Sequence, residues 1–469
     1  MSELTDLSIS EASDLLEQGS ISAVELTEAN LRAIEATEPV VHAYASVLAA
    51  EALNAAMQAD KELAAGHRRS PLHGIPIAIK DNIYTKGFPT EGGSRVMEGF
   101  VPDYDATCVS LLQQAGAILI GKTVCHEFAY GVNVPPTRTP WDPTCYPGGS
   151  SIGSGVAVTS RSAFGALGTD TGGSIRIPAA INGIVGLKPT YGRVSIYGVV
   201  PVAWSLDHVG PMTRTVKDNA LLLQGIAGHD PNDPTSANEP VPEFTADLEA
   251  GVRGLRIGVE RDYFFYEGVS DDVRAAIEGV IAEYEQQGAE IVDVSLPELE
   301  LTQDTVLTIV LAEGSTYHRN LLREHSDKYD PATLSMVRLG ELIPATHYIT
   351  ALRGRALYRR AMEKLFKTER LDAMLWPTMP LTTVPFDDLY APRKDGFDET
   401  PVVSYCHHSF NANLTGQPAL SVPCGFSSAG LPIGFQVIGR PFDEGTVFRI
   451  ARAYEKEHDW FTRKPNLGN

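Results

Sequence analysis

Lys80 closes the apolar run Gly74-Ile75-Pro76-Ile77-Ala78-Ile79, and two glycine-rich, serine-bearing stretches follow it. Residues 147–155 read PGGSSIGSG, and residues 168–179 read GTDTGGSIRIPA. Gly172 and Gly173 lack Cβ atoms, so the backbone before Ser174 can curl until successive N–H groups converge on one point. Such a cradle holds the negative oxygen that forms when a hydroxyl attacks a carbonyl, and Ser174 closes that turn. A nucleophile also needs a base. Burial disfavours the charged form of lysine, and a neutral lysine accepts a proton directly or through a hydroxyl. Lys80 alone reads more readily as a surface lysine at a strand end. The three segments together point to acyl transfer through a serine.

Two local motifs compete with this reading. Residues 116–123, GAILIGKT, fit the phosphate-loop pattern of an ATPase. That pattern needs a strand before the loop, a glycine cradle and a helix behind the lysine. Here Ala117-Ile118-Leu119-Ile120 read as a buried strand, so Lys122 is expected just past it. An ATPase is therefore a distant alternative. Gly149-Ser150-Ser151-Ile152-Gly153 fits the G-x-S-x-G of a nucleophile elbow. An elbow follows a strand directly, and WDPTCYPG is poor strand material. In that reading His208, His407 or His408 would supply the base. If Lys80 is not the base, His126 and His208 are the next residues to consider.

Other parts of the chain must position these segments. Ser8-x-x-Glu11 and Ser22-x-x-Glu25 are capping boxes, and the first 70 residues read as helices. From residue 71 strand-like and helix-like runs alternate, which predicts an α/β architecture. The polar stretch GHDPNDPTSANEPVPEF reads as a surface excursion. GLRIGVE, an amphipathic run with Val273, Ala276, Ile277, Val280, Ile281 and Tyr284 on one face, and AEIVDVSL form a strand–helix–strand unit. Residues 300–400 read as mainly helical, and strand texture returns in ALSVPCGF and PIGFQVIGR.

The 469 residues carry a formal net charge of -21, which repels phosphate backbones and argues against bare nucleic-acid binding. The five cysteines form no C-x-x-C pair, so neither a disulfide framework nor a zinc site is expected. The first 20 residues lack a basic segment followed by an apolar one, and no run of 18 apolar residues exists. A cytoplasmic protein that binds no membrane is the expectation.

GIPIAIKDN, PGGSSIGSG and GTDTGGSIRIPAAINGIVGLKPTYGRVS together resemble the amidase signature family, most strongly over residues 71–216. The resemblance implies a single large mixed β-sheet wrapped by α-helices. It implies an N-terminal helical segment, 1–70, packed on an amidase signature domain, 71–469. Within that domain 71–216 is the catalytic core and 300–400 a variable, substrate-shaping region. It implies Lys80 as base, Ser150 as the bridging serine, often on a cis peptide, and Ser174 as nucleophile. The oxyanion hole falls on Thr171, Gly172, Gly173 and Ser174, and Ser151, Asp170 and Arg176 support the loops. The usual GGSSGGSA reads GGSSIGSG here, so Ile152 replaces a glycine and Gly155 an alanine.

The same family includes the glutaminase component of the tRNA-dependent amidotransferase, which resembles this chain in KPTYGRVS, AGHDPNDPTS and DNIYTKG. That component typically carries glutamine three residues after the nucleophile, where this chain has Ile177. It also has an MDEFAMGS-like stretch where this chain reads CHEFAYGVN. Tyr130, Val132, Ile177 and Ile181 suggest an apolar acyl pocket, in which a primary amide would be poorly satisfied. The expected activity is a stand-alone hydrolase of small apolar or aryl amides; the alternative is the glutaminase component of the transamidase. The expected partner is a small amide, anilide, carbamate or ester. No metal or cofactor is expected, and a homodimer is left open.

Overall fold

Both capping boxes form. The Ser8 hydroxyl accepts from Glu11 N at the start of the helix Ile9–Glu17, and Ser22 does the same for Glu25 at the start of Ala23–Val41. Each glutamate returns to the cap residue's own N–H, so two orphan donors are satisfied at each helix start. The computed structural model describes residues 4–266, 268–395 and 399–467.

Eleven strands make one mixed sheet among these residues. They are β1 (Tyr44–Val47), β2 (Pro76–Lys80), β3 (Ile118–Thr123), β4 (Gly165–Asp170), β5 (Val185–Lys188) and β6 (His208–Thr213), then β7 (Arg256–Glu260), β8 (Glu290–Val294), β9 (Ala373–Pro377), β10 (Ala419–Phe426) and β11 (Pro432–Gly439). Their spatial order is β1-β3-β2-β4-β6-β5-β10-β11-β9-β7-β8. β2 runs parallel to β3 on one side and to β4 on the other. A strand enclosed in this way is apolar on both faces, which explains the unbroken run before Lys80 and the burial of all five β2 residues. The unit β7, helix Asp271–Gln286, β8 forms as expected, with Val273, Ile277, Val280, Ile281 and Tyr284 buried.

Two strands lie inside stretches that read as helical. β1 pairs antiparallel with β3 at the sheet edge, and only Tyr44 of its four residues is buried. β9 joins β11 to β7 and is wholly buried. Each is too short for a period-2 pattern to stand out from its helical flanks. Lys122 is corrected as well: it lies within β3, not past it. Its Nζ donates to Ile83 O (2.7 Å) and Thr90 Oγ1 (2.8 Å) in full burial, so no phosphate cradle exists there. Among the described residues no helix is long and apolar enough to cross a membrane.

Candidate active site

β2 ends by delivering Lys80 into a cage of hydroxyls. Its Nζ lies 2.8 Å from Ser150 Oγ, 3.0 Å from Ser151 Oγ and 2.7 Å from Thr169 Oγ1. All four residues are buried. Burial, unopposed by a contacting carboxylate, pulls the Lys80 ammonium down to about 8. Lys80 is thus an interior residue, against the reading of a surface lysine.

Ser150 follows a cis Gly149–Ser150 peptide, and Ser151 stands just before the helix Ile152–Thr159 without capping it through its side chain. A Cβ on Gly149 would run into the His126 ring, so this approach needs glycine. Ser151 is saturated. Its Oγ takes N–H from Lys80 and from Thr169 N (3.1 Å) and donates to Thr169 O (3.1 Å). Ser151 N donates to Ser174 O (3.1 Å), which ties the two serine loops together. Ile152 is fully buried, and nothing in the structure explains why it is an isoleucine.

Asp170, the last residue of β4, organises the loop that carries Ser174. It forms a bidentate pair with Arg176 (both contacts 3.1 Å) and accepts from Asn413 Nδ2 (2.9 Å). It also accepts from the N–H groups of Gly173 (2.8 Å) and Ile175 (3.2 Å). Burial pushes this carboxyl up, but the Arg176 guanidinium outweighs it and holds the group below the usual carboxylate range. Gly173 sits at φ +119, a conformation open to glycine. The N–H of Gly173 is therefore committed to Asp170. The N–H groups of Thr171, Gly172 and Ser174 find no protein acceptor among the described residues. The Thr171 hydroxyl donates to Asp207 (2.5 Å), which fixes this start of the loop.

Ser174 and Ser150 line one cavity of about 320 Å³. Among the described residues no hydrogen bond joins their hydroxyls, and such contacts often close only when substrate binds. Tyr130, Val132 and Ile177 line the cavity as expected. Ile181 does not. It stands one turn behind Ile177 on the helix Arg176–Asn182, fully buried in a cluster with Tyr146. Much of the remaining wall comes from Gln303, Val306, Leu307 and Val310 on the helix Thr302–His325, with Met336, Tyr405 and Phe410. The i, i+3, i+4, i+7 spacing of the first four was visible in the sequence, but core packing gives the same pattern.

The histidines considered as alternative bases make other contacts. The His126 ring is held neutral by burial, down to about 3, and its Nε2 faces Tyr146 OH at 3.4 Å. His208 faces Lys188 Nζ (3.2 Å) and Leu206 O (2.6 Å). His407 stacks on Tyr263 and Tyr266, and His408 is fully buried, its ring edge-on to Phe264.

Replacing Asp170 with asparagine should destabilise the fold by about 3–5 kcal/mol, because Arg176 keeps its buried charge without a counter-ion. Urea denaturation of the variant checks this. The sign against pH follows from the lowered pKa. The pair's stabilisation is full above the unfolded value of about 4 and fades as pH falls below it. An unchanged midpoint in the variant would mean that the pair holds nothing together.

The family model Amidase matches residues 25–448. The chain is 44% identical to a glutamyl-tRNA(Gln) amidotransferase subunit of Myxococcus xanthus, over 99% of this chain and 100% of that protein. It is 42% identical to an amidase of Pseudomonas putida, over 100% of this chain and 99% of that one. The first alignment runs over 499 residues and the second over 468, so the amidotransferase relative carries segments that this chain lacks. A solved structure from a complex described as revealing the evolutionary origins of an s-triazine catabolic enzyme superposes with a TM-score of 0.91. It is 30% identical and covers 96% of this chain and 98% of its own.

Proposed function

The chain belongs to the amidase family, and from that premise we propose that it is a stand-alone hydrolase of small apolar or aryl amides. Residues 71–216 supply the chemistry and residues 300–400 much of the pocket wall. A neutral Lys80 has two N–H donors and one lone pair. Ser151 and Thr169 take the two donors, because the Ser151 proton is already held by Thr169 O. The lone pair then faces Ser150. Ser174 Oγ attacks the carbonyl carbon, its proton passes to Ser150, and the Ser150 proton passes to Lys80. The free N–H groups of Thr171, Gly172 and Ser174 stabilise the oxyanion. The proton returns through Ser150 to the amine nitrogen as the C–N bond breaks, and water then releases the acyl group from Ser174.

The observation that carries the substrate class is the cavity lining. Among the described residues it includes no Asp, Glu, Lys, Arg or His. Glutamine would bring an ammonium and a carboxylate into that space, and unpaired charges are costly to desolvate. The extra segments of the amidotransferase relative support the same choice. The second reading, the glutaminase component of a transamidase, rests on the 44% identity to that relative.

A screen of the purified protein against aryl acylamides, aryl carbamates and glutamine separates the two. Aryl acylamide turnover by the protein alone is the expected result, with Ser174→Ala as the blank. Glutamine hydrolysis that appears only with an added partner protein, without aryl amide turnover, would support the second reading.

A further inference from the structure

Tyr130 reaches the Ser174 cavity from a backbone turn that few side chains tolerate. Phe128 (φ 49) and Ala129 (φ 61) stand before it in the left-handed region. Such conformations persist only where the surroundings hold them. Here Phe128 N donates to Gly92 O (2.7 Å) and Ala129 N to His126 O (2.8 Å), so the turn is pinned. The Phe128 ring stands edge-on to His318 at 4.5 Å, and the Tyr130 ring lies 5.7 Å from the same imidazole. His318 and Gly314 follow Val306 and Val310 at four-residue intervals on the helix Thr302–His325, so all four share one face.

Gly314 is where the Tyr130 phenol meets that helix. A Cβ on Gly314 would collide with the hydroxyl oxygen and lie 2.8 Å from the ring carbon that carries it. Neither partner gains stability from the contact. A helix interior favours alanine over glycine. The Tyr130 hydroxyl is buried without a hydrogen-bond partner among the described residues, which is unfavourable in itself. What the contact does fix is the ring, which lines the cavity although Gly314 does not. With the turn pinned, the Tyr130 side chain is what must yield to a larger residue at 314. Phe128 and His318 are fully buried beside it, so the space open to the ring is the cavity.

We infer that Gly314 is a specificity-determining residue: by leaving room for the Tyr130 hydroxyl against the helix, it holds the ring back and sets the largest amide that the Ser174 cavity accepts. The substrate class rests on the proposed function, whereas the position of the ring does not. A crystal structure of Gly314→Ala should show the Tyr130 ring moved into the cavity. Across aryl acylamides from acetyl to octanoyl, the variant should lose at least about tenfold more kcat/KM on the longest chain than on the shortest, mainly through KM. Adding Tyr130→Phe removes the colliding oxygen and should restore most of the long-chain turnover. Should Gly314→Ala not fold alone, the pair is measured against Tyr130→Phe and the same ratio is read. A ring left in place, an equal loss at every chain length, or no recovery in the pair would each overturn the inference. If the parent turns over no aryl acylamide, the proposed function fails, and the ring position in the crystal structure still decides this inference.

Discussion

Replacing Ser174 with alanine is expected to lower turnover on the order of 10⁶-fold, the scale on which a serine relay fails without its nucleophile. Three serines stand close together, but only this one is free to attack. Ser151 has its lone pairs and its proton engaged, and Ser150 is 1% exposed. Ser174 is half-buried at the cavity wall beside amides that lack acceptors. Removing its hydroxyl breaks no hydrogen bond among the described residues, so the unfolding midpoint should barely move. A fluorophosphonate probe should label Ser174 and no other serine in peptide mass spectrometry. A label on Ser151, or turnover within tenfold of the parent, would sink the assignment.

Replacing Lys80 with alanine should lower turnover by about 10²–10⁴-fold, the usual worth of a general base. The pH profile of the parent carries the sharper test. Lysine accepts a proton only when neutral, and burial brings Lys80 from 10.5 to about 8. Turnover should therefore rise about tenfold per pH unit below that value and level off above it. In Lys80→Ala this limb should vanish. Ser150→Ala cuts the same path, so the double variant should be little worse than the worse single one. Kinetics of the three variants across the neutral to alkaline range decide it. A profile unchanged in Lys80→Ala would place the base elsewhere.

Much of this site was legible because its chemistry is local. Gly172, Gly173 and Ser174 announce a curled turn, and the lysine after an apolar strand announces a group held in low dielectric. What stayed hidden depends on neighbours far along the chain. Lys80 looks like a surface residue until β3 and β4, 38 and 85 residues later, enclose β2 on both sides. Ile177 and Ile181 look alike four residues apart on one helix face. Ile181 packs in a cluster with Tyr146, which lines the cavity where Ile181 does not, and no pattern in residues 174–182 could reveal it. Gly173 reads as an oxyanion donor, yet Asp170 claims its N–H. β1 and β9 escaped because four or five residues are too few to show a period against helical flanks.

The two sides of the cavity also differ in how much change they can absorb. Behind the cavity, Lys80, Thr169 and Asp170 stand on adjacent sheet strands, fully or almost fully buried and tied to Ser150, Ser151, Arg176 and Asn413, so little can change there. Another part of the wall is one face of the helix Thr302–His325, where Gln303, Leu307 and Val310 line the cavity while remaining only half-buried. A library confined to those three positions should shift which acyl or amine groups are accepted while leaving the alkaline limb of the rate profile in place. Evolution has the same freedom: new substrates can be tried on a helix while the reaction itself is stored in the sheet.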